Sequence, residues 1–297
     1  MSNATAAFEA TRPFGLSLYN TLAPVYQAVV GAHPDTFRFV VGKTPLSTVT
    51  EVAAVAVGYL VVIFGIQAIM RNRAPIAFPT LARMHNLLLS VGSAVLLLLH
   101  LEQVISMIAV KGLGWSLCDT EAWTQRLELL YYINYLFKYY ELIDTLLLAF
   151  KKKPLEFLHY FHHSQTMILC YIQIIYHVTV SWFPIVINLG VHVIMYYYFY
   201  LASMGVRVWW KKYITTMQIS QFVLDIIVVY SCVYNYYAER LSILPYMRSC
   251  NGSGGFGGVF AAALLTIYLG LFAKMYRDTY VRGTRKREST TKTTKRE

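Results

Sequence analysis

Seven apolar stretches run through the chain at 51-70, 84-110, 127-149, 157-177, 183-204, 213-236 and 257-274. Each comes close to the roughly 20 helical residues that cross ~30 Å of hydrocarbon. No other feature constrains the fold as strongly. In hydrocarbon every backbone amide must find an internal partner, so the pattern specifies an all-α, polytopic membrane protein with seven transmembrane helices. The 57% hydrophobic and 14% charged content agrees, because a water-soluble chain normally carries about 25% charged residues.

The windows divide the chain into a 1-50 arm, a 51-274 seven-helix membrane domain and a 275-297 basic tail. The arm contains Pro13, Pro24, Pro34 and Pro45 and lacks the basic start, apolar run and small-residue cleavage site of a secretory leader, so it reads as a retained extramembrane segment. Lys and Arg set the orientation. One set of helix ends, with the tail, holds 18 of them; the opposite ends and the arm hold 7. This puts the C-terminus in the cytosol and the N-terminus across the membrane. The glycosylation triplets starting at Asn3 and Asn251 both fall on the non-cytosolic side, as do Cys118 and Cys250. An oxidising compartment would permit a bridge between those two cysteines, whereas Cys170 and Cys232 read as buried thiols. Gly252, Gly254, Gly255, Gly257 and Gly258 form a turn into the last window or allow close helix approach. Windows two to four and five to seven each contain an odd number of crossings, which permits two inverted three-helix units.

The middle windows break the apolar pattern with groups that are costly to bury. His159, His162 and His163 stand at i, i+3 and i+4 and share one side of a helix. In the third window Lys138, Glu141 and Thr145 form one stripe with Asp144 beside it, able to serve as a charge network or to hold histidine tautomers. The fifth window adds His192 with Met195 and Tyr196. The sixth adds Thr215, Gln218, Gln221 and Asp225 as an inward polar stripe. His33, His85, His100 and His177 lack patterned neighbours and read as ordinary packing histidines. At ~1.5 Å per residue, His162 lies about 14 Å from Lys153, Gln218 about 9 Å from Lys212 and His192 about 22 Å from Arg207. The polar groups therefore share the cytosolic half of the bundle. An anionic substrate could enter at the basic rim while its apolar chain extends toward the opposite side.

Three imidazoles also permit metal ligation, but a di-iron site needs more clustered histidines and carboxylates than a chain with eight histidines supplies, so no metal is expected. A seven-helix receptor shares the topology, and a metal-dependent membrane lipid oxidase shares the histidine box. Neither accounts for the whole assortment.

In combination these motifs resemble the fatty acid elongase family. KxxExxDT is present as Lys138, Glu141, Asp144 and Thr145, HxxHH as His159, His162 and His163, and TxxQxxQ as Thr215, Gln218 and Gln221. HxxMYxYY is present as His192, Met195, Tyr196 and Tyr198 but ends in Phe199. The HYFHHSQTM wording is closer to fungal members. The resemblance implies a six-helix bundle of helices 2-7 around an acyl tunnel, and a very-long-chain 3-oxoacyl-CoA synthase of the endoplasmic reticulum. Its reaction joins acyl-CoA and malonyl-CoA into 3-ketoacyl-CoA, carbon dioxide and CoA. The residue matching the family's acyl-carrying nucleophile is His162, and its other central histidine matches His192. His159, His163, Glu141, Asp144 and Lys138 are expected to orient and balance them. Gln218, Gln221, Tyr196, Thr145 and Asp225 would contact substrate, and Lys152, Lys153, Arg207, Lys211, Lys212 and Arg277 would suit the CoA phosphates. No bound cofactor and no nucleic acid are expected. The reductases and dehydratase of the elongation cycle are the implied partners, and self-association stays open.

Overall fold

The computed structural model of the 297-residue chain describes residues 17–242 and 244–282. Asn3 and the basic run at 285–287 lie outside the described residues. Within them the chain is helical and has no strand.

A short amphipathic helix, α1 (Leu18–Val30), opens the described chain. Ser17 caps its first turn, and Gly31, at φ 81°, ends it in the left-handed conformation that glycine adopts without a Cβ penalty. The rest of the arm is tied to the helices by polar contacts. Glu102 accepts from the Ser17 hydroxyl and the Tyr19 amide, Glu128 accepts from the Phe39 amide at 2.6 Å, and Arg126 pairs with Asp35 at 3.2 Å.

The long helices follow as α2 (Val49–Met70), α3 (Pro79–Lys111), the six-residue α4 (Leu113–Cys118), α5 (Gln125–Phe150), α6 (Phe157–Ile175), α7 (Trp182–Ser203), α8 (Lys211–Leu241) and α9 (Gly255–Tyr276). Local chemistry sets the boundaries. Thr48 and Glu51 form a reciprocal capping box at α2, Pro79 occupies the first turn of α3, and Thr124 caps α5 through the Leu127 amide. Seven helices thus overlie the seven apolar windows, the largest displacements being the earlier start of α3 at Pro79 and the later end of α8 at Leu241.

Among the described residues five helical stretches are long and apolar enough to cross a membrane: Val49–Met70, Pro79–Lys111, Thr179–Ser203, Lys211–Leu241 and Gly255–Val281. Length and composition alone therefore support five crossings and not the seven expected. The two helices left out, α5 and α6, carry Glu128, Lys138, Glu141 and Asp144 and the three-histidine box, respectively.

Contacts between the helices close a ring. α3 packs on α7, α7 on α8, α8 on α9, α9 on α6, α6 on α5 and α5 on α3. The α3, α5, α6 and α7, α8, α9 triplets each supply consecutive positions. α2 lies outside against α5 and α6, the two polar helices, and the Tyr59 hydroxyl on α2 bonds Thr145 Oγ1 on α5 at 2.7 Å.

One end of the ring is fastened by three loops. A disulfide joins Cys118 to Cys250. Gly252 N donates to Cys118 O at 2.8 Å, Thr179 N to Gly252 O at 2.7 Å and Val180 N to Ser253 Oγ at 2.7 Å. The Ser253 hydroxyl, fully buried, also donates to Leu117 O. The glycosylation triplet at Asn251 thus has its serine built into the fold. Gly254 packs against the Tyr236 ring and Gly257 against Val178, so these glycines serve close approach.

Candidate active site

The helical repeat brings Lys138 and Glu141 together on successive turns of α5, and Asn188 and His192 together on α7. These four side chains form a closed circuit. Lys138 Nζ donates to Glu141 Oε1 at 2.9 Å and to Asn188 Oδ1 at 3.0 Å. Asn188 Nδ2 lies 3.3 Å from His192 Nε2, and Glu141 Oε1 approaches His192 Nδ1 at 3.3 Å. An imidazole carrying its proton on Nδ1 fits both contacts, facing the carboxylate with one nitrogen and accepting from the amide with the other. Lys138, Glu141 and His192 are buried and Asn188 is partly so, and the charges of the lysine and the carboxylate are compensated locally.

His162 occupies an aromatic recess formed with α8 and α9. Its ring centroid is 4.6 Å from that of Tyr268, 5.7 Å from Phe272 and 6.4 Å from Phe222. The Tyr268 hydroxyl shares a hydrogen bond with Thr166 Oγ1 at 2.9 Å and donates to the His162 carbonyl at 3.2 Å, pinning the α6 backbone at this turn. The His159 and His163 rings meet one turn apart, tilted by 54° with centroids 4.6 Å apart. Buried nitrogens His159 Nε2, His162 Nδ1 and His163 Nδ1 have no hydrogen-bond partner.

These groups surround one cavity of about 610 Å³. His159, His162, His163, His192, Glu141, Asp144, Tyr196, Gln218, Gln221 and Thr215 all line it, so α5, α6, α7 and α8 contribute to a single chamber. Toward the ends of α5 and α7 the lining includes Lys151, Pro154, Glu156, Ser203 and Lys211, which makes that mouth basic, and Phe199 lines it too.

Several of the residues named from the sequence stand off the cavity wall. Thr145 does not line the cavity; it is fully buried and its hydroxyl faces Tyr59 on α2. Lys138, expected to balance the carboxylates, stands behind the wall and pairs with Glu141, with Asn188 as its second acceptor. Asp225 is also off the wall and accepts from Gln221 Nε2 at 3.3 Å, so it supports a lining residue without reaching the chamber itself. Arg207 is exposed away from the lining, and Lys212 lies over the Tyr276 ring at 6.0 Å. Lys152 donates to the Arg71 and Arg73 carbonyls and ties a loop. Of the basic residues expected at the mouth, Lys211 lines it, joined by Lys151.

The sequence reading missed Asn188, His85 and Tyr268. Asn188 had a usable signal, since an amide one turn before His192 in an apolar helix is costly without a partner. His85 bonds Asp144 Oδ1 at 2.8 Å, a contact that no local spacing encodes. Among the described residues, the one group of three His, Cys, Asp or Glu side chains with donor atoms mutually within 4.8 Å is Cys118, Cys232 and Cys250, two of which share the disulfide.

Comparison with known proteins identifies the family. Residues 44–288 match the ELO model, described as the GNS1/SUR4 family. The chain is 42% identical over 278 residues to "Putative fatty acid elongase 1" of Schizosaccharomyces pombe, covering 93% of this chain and 83% of the relative. It is 33% identical over 249 residues to "Fatty acid elongase A" of Dictyostelium discoideum, covering 83% and 89%. It is 32% identical over 230 residues to "Long chain fatty acid elongase 1" of Caenorhabditis elegans, covering 75% and 76%. With most of its length matched, and with the histidine box, His192 and Glu141 around one chamber, the chain belongs to the GNS1/SUR4 family.

Proposed function

We propose that this chain, a fatty acid elongase of the membrane, is the condensing enzyme that joins a long-chain acyl-CoA to malonyl-CoA. The products are 3-ketoacyl-CoA, carbon dioxide and CoA. One observation carries the reading: His162 and His192 lie on the wall of the same cavity, which runs to a basic mouth. A thioester has to meet a nucleophile, a group that stabilises enolate charge and a site for its phosphates, and that cavity offers all three.

In the first half-reaction a His162 nitrogen attacks the acyl-CoA carbonyl, the carbon–sulfur bond breaks and CoA leaves as its thiol. The acyl group is left on the imidazole, protected by a largely apolar recess of Tyr268, Phe272 and Phe222. In the second, malonyl-CoA loses carbon dioxide, and the carbon–carbon bond electrons become an enolate. The enolate carbon attacks the acyl carbonyl, forms the new bond and releases His162. The Asn188 amide N–H, fixed through its oxygen by Lys138, is placed to steady the thioester oxygen as it gains charge, and His192, oriented by Glu141, serves that oxygen once its Nε2 carries a proton. Gln218 contributes a further polar contact from the same wall.

The ring of α3 and α5–α9 is read as the bundle around the acyl chain, with α2 outside. α2 shields the outer sides of α5 and α6, which lets these polar helices count as crossings and gives seven in all. The positive-inside count supports a non-cytosolic N-terminus and a cytosolic mouth, and the reading sets the chain in the endoplasmic reticulum. Very-long-chain substrates, and the reductases and dehydratase that would complete the cycle, belong to the same reading.

The test is malonyl-CoA-dependent release of labelled carbon dioxide by the purified chain, with an acyl-CoA panel and product analysis. A 3-ketoacyl product two carbons longer supports the proposal. No carbon dioxide release with any acyl-CoA overturns it.

A further inference from the structure

We propose that His85 is a positioning residue for the condensation: acting through Asp144, it holds the Tyr196 phenol in the cavity wall beside His192. This inference rests on the condensation reading above and extends it to α3, a helix none of the four motifs touches.

The contacts form an unbroken line across three helices. His85 Nε2 on α3 meets Asp144 Oδ1 on α5 at 2.8 Å, and Tyr196 on α7 donates its phenol proton to Asp144 Oδ2 at 2.8 Å. Both carboxylate oxygens are therefore engaged, and the group cannot rotate without breaking a bond. His85 is itself confined. It is 1% exposed, and its ring packs 4.8 Å from that of Tyr140. At the other end Tyr196, also 1% exposed, lines the cavity and meets the His192 ring nearly edge-on, at 5.3 Å between centroids and 87° between planes.

A packing histidine normally uses both nitrogens or faces apolar neighbours. His85 instead leaves buried Nδ1 without a partner and spends its one hydrogen bond on a cavity-lining carboxylate. The His192 ring is thus bracketed twice, by Glu141 and Asn188 along its nitrogens and by Tyr196 along its edge. Loosening the second bracket leaves substrate binding in place and misorients the imidazole during the reaction. The effect belongs in kcat and not in KM.

The experiment measures carbon dioxide release by the purified full chain as wild type, His85→Phe, His85→Gln, Tyr196→Phe and the double variant His85→Phe/Tyr196→Phe, per mole of monodisperse protein. His85→Phe keeps an aromatic ring against Tyr140, slightly larger than the imidazole, and removes the hydrogen-bonding nitrogens; where it yields no monodisperse protein, His85→Asn, whose amide stops short of Asp144, takes its place in the cycle. Each single removal is expected to lower kcat about tenfold and to leave KM for acyl-CoA within about twofold, with the double variant no slower than the slower single. His85→Gln, whose amide N–H still reaches the carboxylate, is expected to recover most of the rate. Multiplying losses in the double variant, a loss confined to KM, or an unchanged rate on removing the imidazole would each overturn the inference while leaving the condensation reading intact. A wild-type chain that releases no carbon dioxide overturns both.

Discussion

Glu141 Oε1 sits 2.9 Å from the Lys138 ammonium, and the two side chains retain only 4% and 3% of their exposure. Neither charge can be hydrated, so each depends on the other. Lys138→Ala strands a carboxylate and is expected to destabilise the protein by about 3–5 kcal/mol. The double variant Lys138→Met/Glu141→Gln, with no net buried charge, is expected to regain most of that stability while condensation stays slow, because His192 has lost its anionic neighbour. Thermal unfolding in detergent, read beside the rate, checks both halves. A double variant no more stable than Lys138→Ala would mean that the pair contributes packing and not charge balance.

The division of labour between the two histidines predicts different behaviour with acyl-CoA alone. Intact mass measurement should show wild type and His192→Ala each gaining one acyl group, and His162→Ala gaining none. Subsequent malonyl-CoA should discharge the wild type and leave His192→Ala acylated. Acylated His162→Ala protein would move the nucleophile elsewhere, and an unacylated His192→Ala would place His192 in the first half-reaction as well.

Much of this site could be read from the sequence, because helical spacing is local. The i, i+3, i+4 pattern of His159, His162 and His163 places them on one face whatever surrounds them, and the structure puts all three on the cavity. The same rule failed for Thr145. It shares a stripe with Lys138 and Glu141, but a helix within the ring has an inner and an outer side, and Thr145 falls on the outer one against Tyr59. Spacing gives relative angle and not absolute rotation. His85 was invisible for another reason: its partner is 59 positions away on another helix, a pairing fixed only by how α3 packs on α5. The rim was overread because a lysine can serve a ligand, a carbonyl or a ring, and Lys152 and Lys212 took the last two.

Cys232 lies close enough to the Cys118–Cys250 bridge for all three sulfurs to fall within 4.8 Å of one another. In Cys118→Ser the freed Cys250 thiol has a second buried thiol in reach, and under oxidising conditions a Cys232–Cys250 bridge is expected to form. Peptide mapping without reductant would detect it. The Cys118→Ser/Cys232→Ser protein has no such recourse, and loss of the long loop closure is expected to cost about 2–5 kcal/mol. Equal stability in the single and double variants would show that Cys232 cannot turn toward Cys250.

Gly254 supplies a test of the fastened end that leaves the chamber untouched. A Cβ built there would fall 1.8 Å from Tyr236 Cγ, and the Arg240 guanidinium already lies 3.5 Å from the centre of that ring. The ring has to shift to admit even a methyl group. Gly254→Ala is therefore expected to destabilise the protein by about 1–3 kcal/mol. Adding Tyr236→Ala removes the obstruction, so the second substitution should cost less in the Gly254→Ala background than in wild type. The melting temperatures of the four proteins give that coupling directly. Additive losses would mean that the α8–α9 junction relaxes around the methyl group, and that the glycine is held by its backbone conformation instead of by the ring above it.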